Sequence, residues 1–551
     1  MSPRFLVFAA LLIAAPAAAQ DAPAPRPAGT PADAKVDASP AAVLDRAVLA
    51  EVKDRSEVMA NLRYLSDVIG PRLTGSKGLE VANKWAAERM KSYGLENVKL
   101  EPWEIPVGWE RGTASVTLVE PNQGRRLAVA ARSWTPGTPG KVTGEVVFLE
   151  AKTKADLMKF KGKLKNAIVL RSPPANVAPI TNLAYGPGGV GPKKDEPKKD
   201  DVKKEEPKKD DVKKDEPKKD DVKKEEPKKD DAPPRPSFAE AMALRREMDE
   251  FLKSEGVAAV ISDSAKPHGL LVTGGGWREG DRGTAQDPLP SLFMAHEHYA
   301  MLHRLATRTG VAAPRVEVEV TNTFVTGPVE VYNTVGEIRG SEKPDEIVVV
   351  GAHLDSWDLA TGTTDNGTGS TVTLEVARTL AKLAKEGQRP KRTIRFVLFS
   401  GEEQGLYGSK RYCERHKDEL AKHSVSLVHD TGTGPVLGFG LQGRDAVRKV
   451  LEPELDSLKS LAGWKGLDLG SLNGTDHQSF EAAGVPGFAC RQDMGEYRLT
   501  HHTQSDTFDK ASEPNLVQGA SVIAVTALRI ANLSDLLPRD KPPAPKRDRK
   551  E

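Results

Sequence analysis

Histidine or carboxylate side chains follow four separate apolar runs in the second half of the chain. His353 closes the β-branched run at 346–352, with Asp365 a short loop further on. Glu402 and Glu403 follow the run at 393–400, Asp430 follows 425–429, and His501 and His502 come after 485–490, just ahead of Asp506 and Thr507. One polar residue at a strand end carries little weight, but four in succession define a metal site. Carboxylate and imidazole donors without a thiolate suit a catalytic zinc, with manganese or cobalt as substitutes, and disfavour a structural zinc. Two histidines and three carboxylates exceed what one open zinc needs. They match two divalent ions, two Zn2+ per chain, sharing a bridging carboxylate.

These residues need rigid elements to hold them. From residue 321 onward strand and helix patterns alternate, with helices expected at 370–385, 406–416, 444–461 and 514–533. That order specifies an α/β fold with a doubly wound, mainly parallel sheet, whose sites lie at the carboxyl edge. Asn366 is a suitable N-cap for the helix carrying Val372, Val376, Leu380 and Leu383.

Composition bounds the rest. The chain has 551 residues and a formal net charge of +2. A period-ten repeat restarts at Pro197, Pro207, Pro217 and Pro227, and residues 193–231 carry 16 lysines and 16 acidic residues. With almost nothing to bury, the segment 192–236 is expected to be a solvated, disordered loop. No basic patch interleaved with aromatics points to nucleic acid. Arg4, an apolar stretch from Phe5 to Ala15 and Ala17-Ala18-Ala19 read as a signal peptide at 1–19, cleaved near Ala19. No later stretch reaches the roughly 18 apolar residues a membrane span needs. A secreted or periplasmic protein is expected. The two cysteines, Cys413 and Cys490, are expected to be buried or unpaired thiols.

The expected organisation is a disordered leader at 20–42, an N-terminal part of the catalytic domain at 43–131 and an inserted small α/β domain at 132–321. A catalytic domain at 322–537 and a disordered basic tail at 538–551 follow. Within the insert, His296-Glu297-His298 lacks the second histidine of a His-Glu-x-x-His zinc helix, because position 300 is Ala300. Surface or packing histidines are expected there.

Several stretches together resemble the co-catalytic zinc exopeptidases, in particular their carboxypeptidase Q-like branch. They are Gly351-Ala-His-Leu-Asp-Ser-Trp-Asp, the basic-apolar run 389–399, Gly401-Glu-Glu-Gln-Gly, His501-His-Thr-Gln-Ser-Asp-Thr, Gly70-Pro-Arg-Leu-Thr-Gly-Ser-Lys and Trp109-Glu-Arg-Gly. The insert resembles a protease-associated domain. The resemblance implies that His353 and Asp430 bind one metal, Glu403 and His502 the other, and Asp365 bridges them. It also implies Glu402 as general base, Asp355 as the residue steadying the His353 imidazole, and a homodimer. The spacing to Asp506 and Thr507 favours His502 over His501. Thr475, Asp476, His477 and Tyr497 are further candidates for substrate contact, Asp476 and His477 more often being helix-start residues.

The resemblance is imperfect at His429-Asp430 and at Asn366-Gly, where other residues are familiar. Neither departure removes a ligand. A serine hydrolase is disfavoured because no Gly-x-Ser-x-Gly elbow occurs. A non-catalytic binding protein on the same scaffold, or a single-zinc acyltransferase, would not need all five donors and the base. The resulting expectation is a metallopeptidase acting on short peptides, dipeptides with free ends or a broader aminopeptidase range.

Overall fold

A computed structural model describes residues 39–121, 124–177, 238–277 and 289–541. The expected signal peptide, most of the expected leader and the Lys/Asp repeat lie outside them. Two eight-stranded sheets organise the described residues.

In the first sheet four central strands run parallel: Arg392–Phe399, Lys343–His353, His423–Val428 and Gly487–Gln492, in that spatial order. Side chains alternate across a strand, and here both faces are apolar. Val348 and Val350 join a core beneath the helices Thr368–Lys385 and Glu513–Asn532, while Ile347 and Val349 join another that includes Tyr412 and Phe480. The flanks differ from the expectation of a mainly parallel sheet. Glu96–Ile105 and Val329–Ile338 extend one edge antiparallel, and Val436–Gly440 pairs antiparallel with Gly487–Gln492 on the other. The sheet is therefore mixed, with parallel pairing confined to strands joined through helical crossovers.

The second sheet has its own core, built on Val116, Leu118, Ile168, Ile261, Leu292 and Val318 among others. It begins earlier than residue 132. Ala114–Glu120 pairs antiparallel with Arg315–Val320, and Arg125–Leu127 and Val129–Ala131 join the same sheet. The two-residue alternation of 114–119 announces a strand but not its partner, which is why the boundary falls wrongly in sequence.

Other boundaries shift for local reasons. The first helix, Pro40–Arg55, starts inside the expected leader, with Ser39 Oγ accepting from the Ala42 amide at 3.2 Å and Pro40 at its first turn. The expected helix 444–461 stops at Leu451, and Pro453 opens a separate 3-10 segment, Pro453–Ser460. The start of the expected basic tail is anchored, Arg539 donating to the carbonyls of Leu420, Ala421 and His423 at 2.7–2.8 Å. Cys413 and Cys490 are buried and unpaired. Among the described residues no helix is long and apolar enough to cross a membrane.

Candidate metal centre

His353 is the last residue of its strand, and Ser370 Oγ, from the helix below, donates to its carbonyl at 2.6 Å. Its Nδ1 lies 3.0 Å from the main-chain oxygen of Asp355, which can only accept. Nδ1 is therefore the donor to that carbonyl, and Nε2 is the nitrogen that faces inward. That Nε2 is 3.2 Å from Asp430 Oδ1, 3.4 Å from Asp365 Oδ1 and 4.0 Å from Glu402.

Asp365 faces both ways. Its other oxygen, Oδ2, lies 3.4 Å from His502 Nε2, which is itself 3.0 Å from Glu403 Oε2. His501 Nε2 is further from Asp365, at 3.9 Å, its ring stacked on that of His502 at 3.6 Å. His353, Asp365 and Asp430 form one cluster of donor atoms within 4.8 Å of one another, and Asp365, His501 and His502 form a second. The structure thus brings the five sequence-identified candidates together around Asp365, with Glu402 beside them.

The turns that carry these side chains are held by residues whose bracing part was not read from the sequence. Asp506 accepts from the amides of Thr364 and Asp365 at 2.5 and 3.1 Å. Asn366 Oδ1 accepts from the Gly369 amide at 2.9 Å, but the helix Thr368–Lys385 takes Gly367 as its N-cap in place of the expected Asn366. Arg72, fully buried, donates to the carbonyls of Leu354, Gly70, Thr361 and Gly362 at 2.7–2.9 Å and so braces the whole loop after His353. Asp355 steadies the imidazole mainly through its carbonyl, and its side chain does further work. Its carboxylate is 3.5 Å from the His353 imidazole but accepts from the amides of Glu402 and Glu403, both at 3.3 Å, and from Thr74 Oγ1 at 3.0 Å. The glutamate turn is its main load, and its carbonyl serves the imidazole. Gly401 makes that turn possible: its φ is +76°, and a Cβ there would meet the Trp103 ring at 2.7 Å.

The electrostatics are those of a site built for cations. Burial, reinforced for Glu403 by the neighbouring Asp365 charge, raises the Glu402 and Glu403 carboxyls well above the ordinary range. Burial also raises Asp430, and takes Asp476 and Asp506 up to about 7. For His353, burial favours the neutral ring, but the Asp430 and Glu402 charges outweigh it and hold the pKa well above normal. Asp365 stays low despite burial because His353 and His502 flank it. Oδ2 of Asp365 and Oε1 of Glu403 are buried without a hydrogen-bond partner. Such orphaned anionic oxygens, crowded among other carboxylates, are what a bound divalent cation satisfies. The donor set therefore fits metal ions.

Glu402, Glu403, His501 and His502 open onto a cavity of about 790 Å³, whose wall includes Gln404, Asn473, Thr475, Arg491 and Tyr497. That volume suits a small ligand. Asp476 and His477 sit at the start of the helix His477–Ala482, and His477 Nε2 is taken up by Gln442 and the Leu472 carbonyl at 2.9 Å. His296 pairs with Asp263 at 2.9 Å and His298 accepts from the Ala128 amide at 2.9 Å, both away from the centre.

Residues 333–527, the stretch that supplies every candidate above, match Peptidase family M28. The chain carries a family M28 peptidase domain and is a metallopeptidase. Carboxypeptidase Q of Mus musculus is 28% identical to it over 499 residues, covering 90% of each chain, and carboxypeptidase Q of Homo sapiens is 28% identical over 504 residues with 90% coverage of each. The crystal structure of a Peptidase M28 precursor from Shewanella amazonensis superposes with a TM-score of 0.66 at 25% identity, covering 91% of this chain and 99% of that one. BSAP, a zinc aminopeptidase from Bacillus subtilis, shares the fold at a TM-score of 0.55 and 19% identity, covering 85% of this chain and 93% of its own.

Proposed function

We propose that this chain is a secreted or periplasmic di-zinc exopeptidase that hydrolyses short peptides, dipeptides with free ends above all, acting as a homodimer. The observation that carries the reading is Asp365, whose two oxygens address two different histidines, each 3.4 Å away. His353 and Asp430 would hold one ion and Glu403 and His502 the other, with Asp365 shared between them. Bound zinc supplies Lewis acidity, lowering the pKa of water toward about 7 and polarising a carbonyl. Glu402 takes the proton from the attacking water and returns it to the leaving amine. Its burial suits this work, since a carboxyl raised above the ordinary range is a stronger base toward the water proton. Asp355 keeps Glu402 and Glu403 aimed apart through their amides, and Tyr497 and Thr475 border the space for the scissile group.

Substrate choice follows from the cavity's charge. Among its described lining residues Arg491 is the one lysine or arginine, and every acidic residue is a proposed ligand or the base. Arg491, which also pairs with Asp468, is offered as the contact for a substrate carboxylate rather than an ammonium. The second sheet, at 114–320, is read as a protease-associated-like insertion into the peptidase domain. A dipeptide panel with each terminus blocked in turn tests the reading, alongside metal analysis before and after a chelator. Two zinc ions per chain, hydrolysis abolished by chelation and cleavage lost on blocking the carboxyl end are expected. Unimpaired cleavage of carboxyl-blocked peptides would instead establish the broad aminopeptidase.

A further inference from the structure

His353 and His502 face the same carboxylate from unequal supports. His353 ends a strand paired on both sides, and its side chain is 1% exposed. His502 sits in a loop with a left-handed backbone, φ +60°, and its side chain is 31% exposed. Histidine tolerates that conformation better than most residues, but only where neighbours over-determine it. Here the neighbours come from the other sheet's part of the chain. Residues 271–273 lie antiparallel to 502–504: the Thr273 amide donates to the His502 carbonyl at 3.0 Å, the Gln504 amide donates to the Leu271 carbonyl at 3.3 Å, and Val272 bridges Thr503. The Trp357 ring packs edge-on against the His502 imidazole, with centroids 5.7 Å apart.

One guanidinium holds both of these supports. Arg111 Nε is 2.9 Å from one Asp358 oxygen and Nη2 is 2.6 Å from the other, next to Trp357 in sequence. The same Nη2 lies 2.9 Å from Thr273 Oγ1 and 3.0 Å from Ser133 Oγ, and Nη1 donates to the Ala131 carbonyl. The Arg111–Asp358 pair is largely shielded, at 15% and 11% side-chain exposure, and the guanidinium lies over the Trp109 ring at 5.0 Å. The fork thus joins the end of a second-sheet strand, the backing segment 271–273 and the loop leading from His353.

We propose that Arg111 is a positioning residue that sets the His502 imidazole from two sides, through Thr273 and through Asp358 and Trp357, and thereby governs the affinity of one metal position and not the other. The proposal rests on the metal-centre reading above. It names an asymmetry that the ligand set alone does not contain. A planar fork is required, because lysine supplies the charge but not the simultaneous reach to Asp358, Thr273, Ser133 and Ala131.

The test uses the full-length protein, loaded with zinc and titrated with a competing chelator, as wild type, R111K, R111M and T273V. Wild type is expected to show two bound ions. R111M is expected to weaken the more loosely held one by about 10–100-fold, the range for residues that orient ligands, with the tighter ion unchanged within about threefold. R111K should stay close to R111M, and T273V, which cuts one arm, should fall between R111M and wild type. Hydrogen exchange at the Gln504 amide, independent of turnover, should accelerate in R111M. Turnover should return at excess zinc with KM nearly unchanged. Equal weakening of both ions, or of neither, overturns the proposal, as does unchanged Gln504 exchange. A wild type holding fewer than two ions fails the metal-centre reading itself and takes the proposal with it.

Discussion

The first sheet has a buried strand centre and presents His353, Glu402, Glu403 and Asp430 just past its strand ends. The second is the same width, with four parallel strands of its own, yet no proposed ligand comes from it. It lends instead a short backing segment to the His502 loop and an aromatic bridge, where Trp277 meets Tyr407 at 4.9 Å and Trp134 at 5.4 Å. Similar architecture thus does different work: one sheet supplies donors and the other restrains a loop that carries a donor. Chemistry concentrates where backbone register is strongest, and the loosest ligand borrows rigidity from elsewhere.

The sharpest way to break this contrast is at the donors. Glu402→Gln should retain both ions and lose turnover by about 10²–10⁴, the worth of general-base work alone. Glu403→Ala should lose an ion, and equal retention in both variants, measured by metal analysis, would exchange the two roles. Next is the brace of the first sheet's loop. Arg72→Met leaves four carbonyls around it without their donor and should lower unfolding stability by about 3–5 kcal/mol in denaturant titration, with activity lost alongside. A core truncation in the second sheet sharpens the comparison. Ile261→Ala should cost about 2–5 kcal/mol yet leave the His353–Asp430 side of the centre able to bind metal in the folded fraction.

The smallest effect lies at the start of a central strand of the first sheet, at the opposite end from the donors. Burial lowers the His423 pKa to about 4, and the neutral ring receives the Tyr412 hydroxyl proton at Nε2, 3.0 Å away, while Nδ1 faces the Glu419 carbonyl at 3.0 Å. The unfolded chain takes up this proton near pH 6.5 and the folded chain only near 4, so stability falls as pH drops through that window. Urea unfolding at pH 7 and pH 4.5 should show a pH-dependent loss that is smaller in His423→Gln by about 1–3 kcal/mol. Activity measured at pH 7 should not register the difference.

The donors were legible in sequence because each is a chemically loud residue placed just after an apolar strand. Their supports were not. Three of the four carbonyls that Arg72 works through lie 282 to 290 residues away, and an arginine in a Gly-Pro-Arg turn reads like any surface arginine. Asp506 served only as a spacing clue for His502, although it holds the turn that presents Asp365. The start of the second sheet at Ala114 was hidden for a related reason: strand periodicity is local, while its partner, Arg315–Val320, is separated by most of that sheet. The antiparallel flanks of the first sheet escaped for the same cause.

The order in which the proposed ligands occur along the polypeptide has a consequence for biogenesis. A chain emerging from the ribosome holds His353, Asp365, Glu403 and Asp430 before His502 has been made, so the cage stays open on one side. Because His502 follows Gln492 by only ten residues, the last parallel strand and the last proposed donor become available together, and a cation taken up by the folded sheet would reinforce it, so a chelator should destabilise the finished protein.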